Sequence, residues 1–213
     1  MILVLKTFIN RIARLLPRLH LVFLCSIFVV PSAVIVRAPA QANASGSSSF
    51  PELTDKSGIK TGSSFFEKHS ILVIVPHEDD EICLMGGIFE QFLEHGSTVR
   101  ILFLTNGDFE GPETGAVRIS EAIRAAASVG IPESNLIFLG YGDQWEGGKH
   151  IYNAPENEVL LSHCRLTETY GTESHPAFRS KAPYTRNNLK QDLASVILTY
   201  LPDQIFCIDL DGH

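Results

Sequence analysis

The apolar run Ile71-Leu72-Val73-Ile74-Val75 is followed, after Pro76, by His77-Glu78-Asp79-Asp80-Glu81. Five consecutive apolar residues have the length and character of a buried strand. One imidazole and four carboxylates then crowd the place where that strand runs out. A fold accepts so much charge at the rim of its core only when something offsets the repulsion, and a divalent cation is the usual agent. The segment therefore reads as half of a metal site.

The same alternation recurs downstream and sets the fold class. Gly86 to His95 carries Ile88, Phe89, Phe92 and Leu93 at helical spacing, and Gly96 stops it. Thr98 to Leu104 reads as a second strand, Ala116 to Val129 as an Ala-rich helix ending at Gly130, and Asn135 to Leu139 as a third strand. Leu189 to Leu201 predicts a further helix, broken by Pro202, and Gln204 to Ile208 a last strand. Alternating strands and helices imply right-handed crossovers. The expected fold is α/β, a three-layer Rossmann-like domain with a mainly parallel sheet that continues past the last residue.

In such a sheet the ligand crevice lies beyond the carboxyl ends of the strands. Polar clusters occur at four of those ends: His77 to Asp80, Thr105 to Asp108, Gly140 to Asp143, and Asp209 to His213. Four separate loops are thus expected to meet at one crevice. A spacing of three on a strand-to-helix turn lets His77 and Asp80 face one point, with Asp79 turned to the side. Catalytic zinc takes three protein ligands and leaves one position to water, whose pKa falls to roughly 7. A nearby carboxylate can then act as base, and hydrolysis of an amide is a natural use.

Composition narrows the partners. No acidic residue precedes Glu52, while Lys6, Arg11, Arg14, Arg18 and Arg37 lie in that stretch, so the remainder has 24 acidic residues against 12 basic ones. A domain this acidic has no general affinity for phosphate backbones, which argues against nucleic acid. The 170 or so residues after the leader build one core and not two. Residues 1–42 have a basic section to Arg18, an apolar section from Leu19 to Val36 and small residues at Ala38 to Ala42, the order of a secretory signal peptide or an uncleaved membrane anchor. Either fate exports the domain, secreted or tethered to the membrane. Residues 43–65 form a linker containing the Ser/Gly-rich stretch Asn43 to Ser49, and 66–213 the domain.

His77-x-Asp79-Asp80 after a buried strand, Arg118-x-x-Glu121 on an Ala-rich helix and Gly212-His213 after a late strand together resemble the PIG-L/LmbE-like zinc-dependent de-N-acetylases. The common form has Pro where this chain has Glu78, a position that is not a ligand. The resemblance implies hydrolysis of an N-acetyl group from an N-acetylglucosamine-containing substrate, with Zn2+ as cofactor. By it His77 and Asp80 are zinc ligands and Asp79 the general base. His213 matches the first His of a Gly-His-x-x-His motif, a catalytic histidine, which puts the third ligand three residues past His213; in a shifted alignment His213 is itself that ligand.

The remaining candidates stay open between two readings. Arg118 and Glu121 fit an exposed ion pair or a wall of the sugar pocket, and Asp143 fits a turn or a contact to sugar hydroxyls. Asp108 reads as a turn residue. Trp145, Tyr141 and Tyr184 fit either a stacking surface or the core. His69, His95, His150, His163 and His175 read as solvated. Cys83 and Cys207 read as small core side chains, and with Cys164 they form no CxxC pattern, disulfide framework or zinc knuckle. Gly142 to Arg186, with little periodicity, is expected to determine the substrate. Two other functions fit the same architecture: an inactive glycan- or nucleotide-binding domain, and a transferase with a phosphate loop, against which Gly86-Gly87 comes too late and too close to acids.

Overall fold

The computed structural model describes residues 66–143 and 150–209, together with the four short strands β1 (His20–Cys25), β2 (Ala33–Val36), β3 (Leu53–Thr54) and β4 (Lys60–Thr61). The leader's cleavage site, most of the linker, Trp145 and His213 lie outside the described residues.

β5 (Ser70–Val75) is the middle of the sheet. It pairs in parallel with β6 (Thr98–Thr105) on one side and with β8 (Gln204–Asp209) on the other, and β6 pairs in parallel with β7 (Leu136–Tyr141). The order β8-β5-β6-β7 is the four-stranded parallel sheet that alternation predicts. β1 runs parallel along the outer edge of β8, and β2 lies antiparallel beyond it. Part of the apolar leader section thus lies in the sheet.

Burial on both faces explains the continuous apolar run of β5. Leu72 and Ile74 point into one core with Leu102, Leu104 and the helix α4 (Arg186–Tyr200), through Leu189, Leu193, Val196 and Ile197. Ile71, Val73 and Val75 point into the other, with α1 (Asp80–Met85), α2 (Phe89–Glu94) and α3 (Pro112–Ser128). Alternate residues of one strand therefore glue two helical layers to one sheet. Phe103 and Phe138 stack across β6 and β7 with centroids 5.0 Å apart.

The helix ends follow local chemistry. Thr185 caps α4 by accepting the Asn188 amide at 3.1 Å, and Leu201 closes the helix in the left-handed conformation just before Pro202. α3 starts with Pro112 in its first turn, four residues earlier than the sequence pattern suggests. The expected helix over 86–95 is confined to α2, Phe89–Glu94, and a separate short helix, α1, precedes it, the chain turning between them at Gly87 with φ +79°. Cys83 is exposed on α1, contrary to its apolar neighbourhood in sequence, whereas Cys207 is buried in β8. Tyr141 and Tyr184 are core residues, and the Tyr141 hydroxyl donates to Asp192 at 2.7 Å.

Candidate metal centre and active site

Three loops meet at the carboxyl ends of β5, β6 and β7. β5 ends at Val75, and the chain turns through Pro76 into α1, whose first residue is Asp80. The His77 amide donates to Asp80 Oδ2 at 3.1 Å, and His77 Nδ1 stands 3.3 Å from the same oxygen. From the loop after β7, Asp143 Oδ1 lies 3.1 Å from His77 Nε2. One imidazole is thus held between two carboxylates that are 63 residues apart in the chain. Hydrogen bonds donated by the ring to Asp143 and then to Asp80 outweigh burial and raise the His77 pKa to about 10. Burial alone would raise the Asp143 carboxyl, but the His77 imidazolium and Thr105 hold it below the usual range.

Asp79, between the two residues that face each other, turns outward with 68% of its side chain exposed, and its Oδ1 pairs with Arg118 at 3.2 Å. Arg118 also reaches Glu78 Oε2, at 3.4 Å through Nε. It does not pair with Glu121, whose partner is Arg124 at 4.0 Å. Burial would lower the Arg118 pKa, but the charges of Asp79 and Glu78 raise it, so this guanidinium is a permanent cation at the rim. Glu78 is buried, and burial pushes its carboxyl up to about 8 despite the nearby Arg118.

The sheet itself sets this geometry. A register shift between Phe103 and Thr105 bends the end of β6, and the Thr105 hydroxyl donates to the Pro76 carbonyl at 3.0 Å, tying the two loops together. Gly107 follows at φ +57°, and a Cβ there would stand 2.3 Å from Arg118 Nε. Only glycine fits beneath the arginine.

Asp108 is more than a turn residue. It is fully buried, accepts the Asp143 amide at 2.8 Å on one oxygen, and accepts the Tyr170 hydroxyl at 2.6 Å on the other. Tyr152 is a second residue that sequence reasoning passed over: it is half-buried against the core, and burial, then the charges of Asp143 and Asp80, raises its pKa. Neither tyrosine carried a local signal, since both belong to the aperiodic stretch before Arg186. Of the histidines read as solvated, His95, His150 and His163 are exposed. His69 and His175 are half-buried, and His175 bonds Glu133 at 2.8 Å.

A family model described as PIG-L, GlcNAc-PI de-N-acetylase, matches residues 72–213, which takes in every loop of this site. The chain belongs to the PIG-L family. No curated protein matches it. PIG-L membership implies de-N-acetylase activity and, at the level of the family, a substrate containing N-acetylglucosamine. PIG-L enzymes are typically metal-dependent. Among the described residues no three His, Cys, Asp or Glu side chains are grouped to hold a metal ion. The described part of the site supplies one nitrogen and one oxygen donor, His77 and Asp80, on a single point, a donor pair that suits zinc.

Proposed function

We propose that this PIG-L protein is a zinc-dependent hydrolase that removes the N-acetyl group from an N-acetylglucosamine-containing substrate. The observation that carries the reading is the His77 imidazole gripped by Asp80 at 3.3 Å and Asp143 at 3.1 Å. Two carboxylates around one imidazole form an electrostatic seat for a cation, and a proton on His77 fills it when no metal is bound. His77 and Asp80 would hold zinc as its nitrogen and oxygen donors. Zinc held there would supply Lewis-acid chemistry, polarising the amide carbonyl and making water more acidic.

The chain's own residues do the rest. Asp79, exposed and oriented by Arg118, takes a proton from the attacking water and returns it to the departing amine. His213, by its match to the first His of the Gly-His-x-x-His motif, stabilises the oxyanion. Arg118 and Asp143 line the sugar subsite, Asp143 dividing its carboxylate between His77 and substrate hydroxyls. The acidic surface and the lack of a phosphate loop argue against nucleic acid and nucleotides as partners.

The test is release of acetate from N-acetylglucosamine derivatives by zinc-loaded protein. Turnover that depends on zinc and spares phosphodiesters supports the assignment; stoichiometric zinc without acetate release from any such derivative overturns it in favour of an inactive glycan-binding member.

Export is the accompanying proposal, resting on the order of charge, apolar run and small residues in 1–42. Pairing of β1 with β8 gives the same residues a competing use, because removing the leader would leave the β8 edge open. A mature N-terminus near Asn43, or membrane-bound protein with the domain outside, is the expected result. Soluble cytoplasmic protein beginning at Met1 would refute it.

A further inference from the structure

A cavity separate from the loops described above lies between the α1–α2 turn and the second half of α3. It measures about 200 Å3 and is walled by Ile82, Phe89, Ile101, Ala126 and Val129. Glu81 is the one buried carboxyl in its lining. Its side chain belongs to a residue only 3% exposed, and Oε2 has no hydrogen-bond partner among the described residues. The catalytic reading makes no use of this acid: its neighbour Asp80 faces His77, whereas Glu81 lines this cavity.

A buried acceptor without a donor is unfavourable, and native structures rarely keep one unless water or a ligand supplies the missing bond. The wall is mainly apolar, so it holds few partners for a water molecule, which needs two to four polar contacts to be well placed. The volume suits a single ring: a cavity of about 150 Å3 takes benzene. The wall also reaches the surface, since Ile82 and Glu90 are exposed on its outer side.

We propose that this cavity is a binding site for a small apolar molecule carrying one hydrogen-bond donor, an alcohol or primary amine of about the size of a benzyl group. The ring fills the space between Phe89, Ala126 and Val129, and the donor reaches Glu81 Oε2. Because Glu81 directly follows Asp80 on a helix of six residues, occupancy also braces the turn that carries the metal ligand.

The test uses the full-length chain and does not depend on catalysis. Toluene, benzyl alcohol and benzylamine are titrated in turn, and the amide resonances of Gly87, Ala126 and Val129 are followed by NMR. Benzyl alcohol and benzylamine should move those resonances and bind at least fivefold more tightly than toluene. Ala126→Phe should abolish binding of all three, and Glu81→Leu should make toluene the tightest. Should Glu81→Leu fail to fold, Glu81→Gln keeps the shape and removes the charge, and it should weaken benzylamine relative to benzyl alcohol. Equal affinity for the three probes, unchanged by the Glu81 variants, would overturn the proposal, as would the absence of any shift at tens of millimolar, which would mean that the cavity holds water only.

Discussion

The backbone amide of Asp143 donates to the buried carboxylate of Asp108 at 2.8 Å. Asp143 is therefore aimed at His77 by a residue of a different loop, 35 positions earlier in the chain. Asp108→Ala would leave that amide and the Tyr170 hydroxyl without acceptors, at roughly 1–3 kcal/mol for each. Tyr170→Phe removes one bond only and should cost less. In the alanine variant the His77 titration, followed by NMR, should fall toward its ordinary value, because Asp143 is no longer held against it. An unchanged His77 titration would show that Asp108 supports the fold without positioning Asp143.

The two neighbouring aspartates face different ways, so their variants should fail differently. Asp80→Ala removes a proposed ligand and should lose zinc and acetate release together. Asp79→Asn should keep zinc while activity falls by about two to four decades, the range that general-base catalysis contributes. Metal analysis beside kinetics separates the two, and equal loss of zinc in both variants would contradict the division of roles.

His77 supplies a pH test. Its folded pKa, raised to about 10 by Asp143 and Asp80, lies above the ordinary 6.5. A raised pKa means that the imidazolium stabilises the metal-free fold fully below pH 6.5, and that this contribution disappears as pH climbs through 10. Metal-free protein should accordingly lose stability across that window, and Asp143→Asn should narrow it. Zinc must displace the same proton, so its apparent affinity should rise about tenfold per pH unit between pH 6 and 8. Denaturation and zinc titration at stepped pH check both signs; zinc affinity independent of pH would exclude His77 as a ligand.

Gly107→Ala tests the seat of Arg118. The added methyl would stand 2.3 Å from Arg118 Nε and 2.7 Å from Glu78 Oε2, in a left-handed conformation that disfavours a side chain. A loss of about 1–3 kcal/mol of stability is expected. Displacing Arg118 should also raise KM for the sugar substrate more than it lowers kcat. Unchanged stability and KM would mean that the guanidinium moves aside at no cost.

Much of the fold is legible in the chain because its signals are local. A five-residue apolar run, a helical repeat stopped by glycine and a helix broken by Pro202 are written within one turn or strand, and parallel order follows from their alternation. The facing of His77 and Asp80 is equally local, since three residues on one turn fix it. What the sequence alone could not supply is whatever depends on packing between distant segments. Arg118 finds Glu78 and Asp79, 40 and 39 positions away, in preference to Glu121 on its own helix, because the bend at Thr105 and the bare backbone of Gly107 open a path to them. Asp108 becomes an anchor because Tyr170 arrives from 62 residues downstream, and Cys83 is exposed because α1 turns its neighbours Leu84 and Met85 to the core instead. Side-chain identity decided which groups were present; tertiary packing decided which of them meet, since burial strips away water and leaves each charge to be matched by whatever partner the sheet brings within reach.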